Sequence, residues 1–276
     1  MSGSLLLPAV AGSWYPGDPA ELRDLVDGLL AHAPAPPAQP PAALIAPHAG
    51  LMYSGGVAAA AFACVPAHRF TRVVLLGPSH YAAFAGAVVP QATAWRTPLG
   101  DLPLDLDVEL PRRSAPFLRE HSLEAELPFL QRRLASVFRA VPVLVGPRSD
   151  GADLDAVAHA LEPLLDGETL LVVSSDFTHY GAAFGFTPFH DRLPERIGEL
   201  DRGALRCIEA GDAPAFAAYL EDTGATICGR DAIGVLLRLR AVCLSPCRRT
   251  LAYATSGEMT GSFAHSVSYA AVHVAA

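Results

Sequence analysis

The stretch that decides the fold is ALIAPHAG at residues 43–50, in which four apolar residues lead directly into a Pro-His pair. The same arrangement recurs in VVLLGPSH at residues 73–80 and in LLVVSSDFTH at residues 170–179. Short apolar runs bounded by Gly, Pro or Ser are typical of strands buried on both faces of a sheet. Open α/β sheets bind their ligands outside the carboxyl ends of such strands. The sequence therefore predicts one rim that carries His48, His80, Asp176 and His179.

The rest of the chain alternates between helical and strand patterns. Further strands are predicted at 141–145, 250–256 and 266–274, with a turn at 257–261. Helices are predicted at 56–64, 122–137, 153–165, 200–209, 213–220 and 231–241, and Pro128 delays the first turn of the second one. This alternation favours an α/β fold with a mixed central sheet flanked by helices, and residues 1–276 are interpreted as a single domain.

Composition excludes several classes of function. The chain has 276 residues, of which 51% are hydrophobic and 17% are charged, so it can bury a sizeable core. All 20 basic residues are arginine. A phosphate-binding P-loop needs a lysine and Schiff-base chemistry needs an amine, so neither is expected. The net charge is −8 and no basic stripe is present, which argues against nucleic-acid binding.

The sequence predicts a cytoplasmic protein that does not insert into a membrane. Residues 1–12 contain no basic residue and make a poor signal peptide. No apolar run reaches the roughly 20 residues that a membrane span requires. The five cysteines are an odd number at irregular spacing, as expected for thiols in a reducing compartment. Cys243 and Cys247 lie four residues apart, unlike a zinc knuckle, and are predicted to lie in a loop before a strand.

The histidines differ in what their surroundings predict. His48, His80 and His179 all follow strand ends among small residues that leave room for a ligand. His121 opens the segment EHSLEAE at residues 120–126. That segment fits either a helix start, with Ser122 as N-cap and acidic residues complementing the helix dipole, or a part of the site. The remaining histidines are expected to be satisfied by backbone carbonyls: His32, His68, His159, His190, His265 and His273.

A metal site is the first hypothesis for the predicted rim. Imidazole nitrogens suit iron, copper, zinc and nickel. A carboxylate as third ligand would give the facial triad of non-haem iron oxygenases, whereas a cysteine would favour copper or zinc without excluding iron. Cys228 precedes a predicted helix, where the helix dipole and Arg230 are expected to lower the pKa of its thiol. Asp176 suits either the orientation of a ligand histidine or proton transfer.

Seven motifs, in order along the chain, resemble those of the Memo family, whose bacterial and archaeal members are called AmmeMemoRadiSam system protein B. They are GSWYP at 12–16, APHAG at 46–50, GPSH at 77–80, EHSLE at 120–124, SDFTHYG at 175–181, ICGR at 227–230 and SVSYA at 266–270. The resemblance covers nearly the whole chain. It implies the fold of class III extradiol dioxygenases, which use non-haem Fe(II).

The resemblance also implies a set of site residues. Iron or copper would be held by His48, His80 and Cys228. The catalytic groups lining the same pocket would be His121, Asp176 and His179, and Trp14 would stand at the pocket mouth. Activated oxygen readily oxidises a thiolate, which argues against ordinary catechol cleavage. The implied partners are radical-SAM and AMMECR-type proteins, together with a small-molecule or peptide ligand.

Three functions follow from these residues. The leading hypothesis is a metal-binding redox protein or oxygen-dependent oxidoreductase. The alternative is a metal-free binding module that grips an anionic ligand or a partner's peptide in the same pocket, where Arg230 is the only arginine within a motif. A thiol hydrolase that uses Cys228 with His179 or His121 is the third reading.

Overall fold

The three apolar runs form the parallel centre of the main sheet. The computed structural model describes residues 4–134, 137–245 and 247–276. The strands are β1 (Leu5–Leu6), β2 (Pro41–Ala46), β3 (Arg72–Pro78), β4 (Ala87–Val88), β5 (Ala94–Thr97), β6 (Gly100–Pro103), β7 (Arg139–Val145), β8 (Thr169–Ser174), β9 (His179–Gly181), β10 (Arg248–Thr255) and β11 (His265–Ala275). Strands β2, β8, β3 and β7 are neighbours in that order, and every pair among them is parallel.

Antiparallel strands complete this sheet at both sides. Strand β11 pairs with β2, β10 pairs with β11, and β4 pairs with β7. The order is β10-β11-β2-β8-β3-β7-β4, and β9 pairs with β11 beside it. A separate three-stranded sheet has the order β1-β5-β6. The predicted α/β class with a mixed central sheet is therefore confirmed.

Helices cover both faces of the main sheet. They are α1 (Pro19–Ala31), α2 (Leu51–Phe62), α3 (Leu127–Arg133), α4 (Gly151–Leu161), α5 (Leu193–Ala210), α6 (Ala213–Thr223), α7 (Arg230–Leu236), α8 (Arg240–Cys243) and α9 (Ser256–Thr260). Side chains alternate along β2, so that Leu44 faces the core beneath α1 to α3 while Ile45 faces the core beneath α4 to α7. Both residues are fully buried. None of the helices among the described residues is long and apolar enough to cross a membrane.

Several element boundaries differ from the sequence prediction. Helix α2 begins at Leu51, earlier than predicted, because Gly50 forms its N-cap. The predicted helix 231–241 is divided, since α7 ends at Leu236 and α8 begins at Arg240. The predicted turn 257–261 contains the short helix α9, capped by the hydroxyl of Thr255. Helix α1 was not predicted.

The predicted helix 122–137 also starts later. A 3-10 turn over Glu124–Glu126 precedes α3, which has Pro128 in its first turn. The expectation that Ser122 caps this helix is wrong, because its hydroxyl donates to the carbonyl of Pro78 instead. Residues 135–136, near the predicted end of the helix, lie outside the described part of the chain.

Aromatic stacking joins α2 and α3 on one face of the main sheet. The rings of Phe62 on α2 and Phe129 on α3 stack at 5.2 Å between centroids, and both side chains are fully buried. We predict that Phe129→Ala lowers the free energy of unfolding by about 3 to 5 kcal/mol, because a cavity replaces the ring. Urea unfolding measures this change. Val137→Ala is the control at an exposed apolar residue, and an equal loss in both variants would contradict the prediction.

Candidate metal centre

The carboxyl ends of β2, β3 and β8 bring the predicted site residues together. His48 follows β2, His80 follows β3 and Asp176 follows β8. The rings of His48 and His80 lie 5.3 Å apart at their centroids. The backbone N–H of His48 donates to Asp176 Oδ1 over 2.9 Å. The single rim expected from the repeated strand pattern is thus present in the fold.

His121 joins this cluster from the loop before α3. Its ring stacks on His80 with a centroid distance of 4.7 Å and an interplanar angle of 12°. One ring nitrogen from each of His48, His80 and His121 lies within 4.8 Å of the others. Of the two interpretations of this segment, the structure places His121 in the site. The three imidazoles form a group that can hold a metal ion.

Cys228 lies against the same cluster, although it is not a member of that three-histidine group. Its Sγ is 3.3 Å from His48 Nε2 and accepts a hydrogen bond from the backbone N–H of Asp176 over 3.2 Å. Burial, together with the nearby Asp176 carboxylate, raises the pKa of the Cys228 thiol well above its ordinary value. The predicted lowering is wrong, because burial outweighs any effect of α7 and the Arg230 side chain is 55% exposed.

Glu120 fixes the tautomer of His80. Its carboxylate accepts from His80 Nδ1 over 2.8 Å and from the backbone N–H groups of His80, His121 and Ser122. Burial acts to raise the pKa of Glu120, but these hydrogen bonds and the charge of His80 outweigh it and the pKa is lowered. An ionised Glu120 can only accept, so His80 carries its proton on Nδ1. Nε2 is therefore the ring nitrogen through which His80 can bind a ligand.

Burial keeps the imidazoles of His48 and His121 neutral. Burial, and then the charges of His80 and His121, hold the pKa of His48 well below its ordinary value. Burial and His80 lower the pKa of His121 to about 4. Only neutral imidazole binds a metal, so both rings are in the required state at neutral pH. Buried Nδ1 of His121 has no hydrogen-bond partner among the described residues, as expected of a nitrogen in a site that completes its contacts with a ligand.

Asp176 and His179 also line the site. Burial raises the pKa of Asp176 to about 6, against the opposing effect of His179. Nδ1 of His179 lies 2.8 Å from the carbonyl of Phe177 and 3.0 Å from that of Thr226. Carbonyls only accept, so this nitrogen carries the proton and Nε2 is free. His179 shares a cavity of about 440 Å³ with His80 and Cys228.

Trp14 lies over His121, with 4.1 Å between the ring centroids. Its segment is anchored by Glu124, whose carboxylate accepts from the N–H groups of Ala9 and Val10 and from the hydroxyl of Tyr15. Trp14 lines a second, mainly apolar cavity of about 640 Å³. It therefore separates the histidine cluster from this neighbouring cavity.

Sequence reasoning missed the residues that hold the rings in place. Glu120 was quoted within a motif but given no task, and Ser174 was interpreted only as the end of a strand. Asp201 is also fully buried, and its carboxylate accepts from the backbone and hydroxyl of Thr178 and from the hydroxyl of Tyr253. It thereby fixes the loop between Asp176 and His179. Asp201 lies in the middle of the amphipathic helix α5. Nothing in the sequence distinguishes a buried carboxylate there from a solvent-exposed one.

The fold and site define a class: an α/β protein in which imidazoles, a carboxyl group and a thiol gather at the carboxyl ends of the parallel strands. The Memo family, described as "Memo-like protein", matches residues 7–273. The chain belongs to the Memo family.

Animal proteins are similar to this chain over most of its length. The "Protein memo-1 homolog" of Caenorhabditis elegans is 36% identical over 94% of this chain and 79% of its own length. "Protein MEMO1" of Xenopus laevis is 36% identical, and that of Homo sapiens is 34% identical, each over 95% of this chain and 94% of its own length.

Gly229, next to Cys228, is packed closely against Ser174 and Ser175. A Cβ on Gly229 would lie 2.4 Å from Ser175 Cβ and 2.7 Å from the carbonyl of Ser174. We expect Gly229→Ala to lower the free energy of unfolding by about 1 to 3 kcal/mol through overpacking. It should also make Cys228 react faster with iodoacetamide, measured by peptide mass mapping. Gly56→Ala, where a Cβ meets nothing within 4 Å, is the control. Equal stability and labelling in both variants would refute the close packing.

Proposed function

We propose that this chain binds iron or copper at the rim and works as a metal-dependent redox protein or oxidoreductase. The observation that carries the proposal is the convergence of three imidazoles within 4.8 Å, with the proton on His80 Nδ1 held by an ionised carboxylate. Such an arrangement is the usual support of a metal-binding histidine. Imidazole with an adjacent thiol selects a transition metal over magnesium or calcium.

We propose His48, His80 and Cys228 as the ligands. The ring planes favour Cys228 over His121 as the third donor. His80 and His121 stack almost in parallel, and lone pairs lie in the ring planes, so both rings cannot aim at one ion without one of them turning. His48 stands at 76° to His80, which allows their lone pairs to converge. The Cys228 sulfur already lies 3.3 Å from His48 Nε2.

Side chains beside the proposed metal would transfer protons during such chemistry. A bound iron or copper ion would supply one-electron chemistry. Asp176, with a pKa of about 6, can hold or release a proton beside the cavity near neutral pH. His179 can accept a proton on Nε2, because Nδ1 is already committed to two carbonyls. These two residues are the proposed acid–base groups, and Trp14 shields the cluster from the neighbouring cavity.

The charges of the 440 Å³ cavity do not favour the metal-free alternative. Arg230 and Asp231 both line its wall, so the side chains there carry one charge of each sign. A site built to grip an anion would present unopposed positive charge. The volume suits a small-molecule ligand. Radical-SAM and AMMECR-type partners and a cytoplasmic location stay predictions.

Loss of a single imidazole tests the proposed ligand set. His80→Ala should remove most of the bound iron or copper while the fold remains, because a three-ligand site rarely survives the loss of one strong donor. Elemental analysis of protein purified without oxygen and without an affinity tag measures the metal content. His159→Ala, at an exposed position on α4, is the matched control and should leave the metal content unchanged. Equal loss in both variants would indicate adventitious surface binding.

The pH dependence of binding distinguishes the two candidate third donors. The raised pKa of Cys228 keeps its proton on in the metal-free protein, so metal must displace that proton. Affinity should therefore rise about tenfold for each pH unit below the thiol pKa. Calorimetry in buffers of different ionisation enthalpy, above the Asp176 pKa of about 6, should show one proton released.

Two variants control this measurement. Cys228→Ser should abolish the proton release, whereas Cys207→Ser on α5 should not change it. Binding that releases no proton would mean that the neutral His121, not Cys228, is the third ligand.

A further inference from the structure

The hydroxyl of Ser174 is a junction of three short hydrogen bonds in the floor of the site. Ser174 ends β8 and is fully buried. Its Oγ lies 2.7 Å from His48 Nδ1, 2.6 Å from the carbonyl oxygen of Ser122 and 2.7 Å from Glu126 Oε1. Each distance is that of a good hydrogen bond, so each of the three needs one hydrogen between its two heavy atoms.

The hydroxyl can satisfy these three contacts in one way. A serine hydroxyl has one hydrogen to donate and two lone pairs. The carbonyl of Ser122 can only accept, so the hydroxyl hydrogen points to it. The two lone pairs then face His48 and Glu126, and both of these groups must donate. His48 donates with Nδ1–H, and Glu126 can donate only as a carboxylic acid.

We propose that Glu126 is a permanently protonated carboxylic acid that fixes the tautomer of His48 through Ser174. It is a positioning residue: its O–H and the Ser122 carbonyl orient the Ser174 hydroxyl, whose remaining lone pair accepts from His48 Nδ1–H. His48 Nε2 is thereby left unprotonated and available to the site. The effect of Glu126 on metal binding rests on the proposed function. The protonation state of Glu126 does not depend on it.

The surroundings of Glu126 agree with a neutral acid. Its side chain is fully buried, and the other oxygen, Oε2, has no hydrogen-bond partner among the described residues. Burying a charged carboxylate oxygen without a hydrogen-bond partner would cost far more free energy than burying the carbonyl oxygen of a neutral acid. Burial, opposed by Ser174 and aided by the charge of Asp176, raises the pKa of Glu126 well above its ordinary value.

Glu120 and Glu126 thus perform the same task with opposite protonation states. Glu120 is ionised and accepts directly from Nδ1–H of His80. Glu126 is neutral and donates to a hydroxyl that accepts from Nδ1–H of His48. A charged Glu126 would add a second carboxylate near Asp176 in a buried site and would leave the Ser122 carbonyl facing a lone pair.

Infrared spectroscopy of the full chain tests the proton directly. At neutral pH the carbonyl stretch of a protonated glutamic acid should be present and should shift when glutamate is labelled with carbon-13, which excludes Asp176 and Asp201 as its source. The band should vanish in Glu126→Gln and persist in Glu124→Gln, the matched variant of a second buried glutamate that only accepts. Absence of the band, or its loss in Glu124→Gln alone, would overturn the proposal.

Fe(II) binding measured without oxygen tests the positioning task. Glu126→Gln should keep the wild-type affinity, because the amide N–H₂ donates to Ser174 as the acid does. Ser174→Ala should lower the affinity by about 10- to 100-fold, as the loss of a ligand's hydrogen-bond partner does. An equal loss in Glu126→Gln would overturn the proposal, since it would show that a carboxylate is needed. If the wild-type protein bound no metal, the proposed function alone would fail, and the infrared result would still decide the protonation of Glu126.

Discussion

The hydrogen bonds of the buried Glu120 carboxylate are the interaction on which the rest of the site depends. Four N–H groups donate to it, and they belong to the strand end that carries His80 and to the loop that carries His121. One charged group, 1% exposed, therefore joins two segments that are about 40 residues apart in sequence. Its ionisation is stabilised by those donors, and in return it holds a proton on His80 Nδ1, so that Nε2 is the nitrogen that can bind a ligand.

The segment from Glu120 to Glu126 carries three buried carboxyl groups, each of which joins it to another part of the chain. Glu120 holds the His80 strand end, Glu124 anchors the chain before Trp14, and Glu126 meets Ser174 at the end of β8. The parallel sheet brings the strand ends to one rim, and this segment then fixes how each ring is turned. Burial keeps His48 and His121 neutral, so the site combines imidazole nitrogens with a thiol that must lose a proton before it can bind metal.

The sequence predicted the parts of the fold that depend on local pattern. Apolar runs and their polar ends placed His48, His80, Asp176 and His179 correctly on one rim, because strand position alone determines where those residues go. Among the elements missed, β9 and the small sheet of β1, β5 and β6 have strands only two to four residues long, which carry no periodicity. The protonation states could not be predicted. Burial reverses the effect expected at Cys228, and hydrogen-bond donors lower the pKa of Glu120 while burial raises that of Glu126.

We propose that two imidazoles and the Cys228 thiolate hold one transition-metal ion at the carboxyl edge of the sheet. X-ray absorption spectroscopy of protein loaded with one equivalent of Fe(II) or Cu(I) tests this coordination. We expect a first coordination shell with imidazole scattering and one sulfur, and loss of the sulfur contribution in Cys228→Ser. A shell of nitrogen and oxygen alone in the wild-type protein would rule out the thiolate ligand.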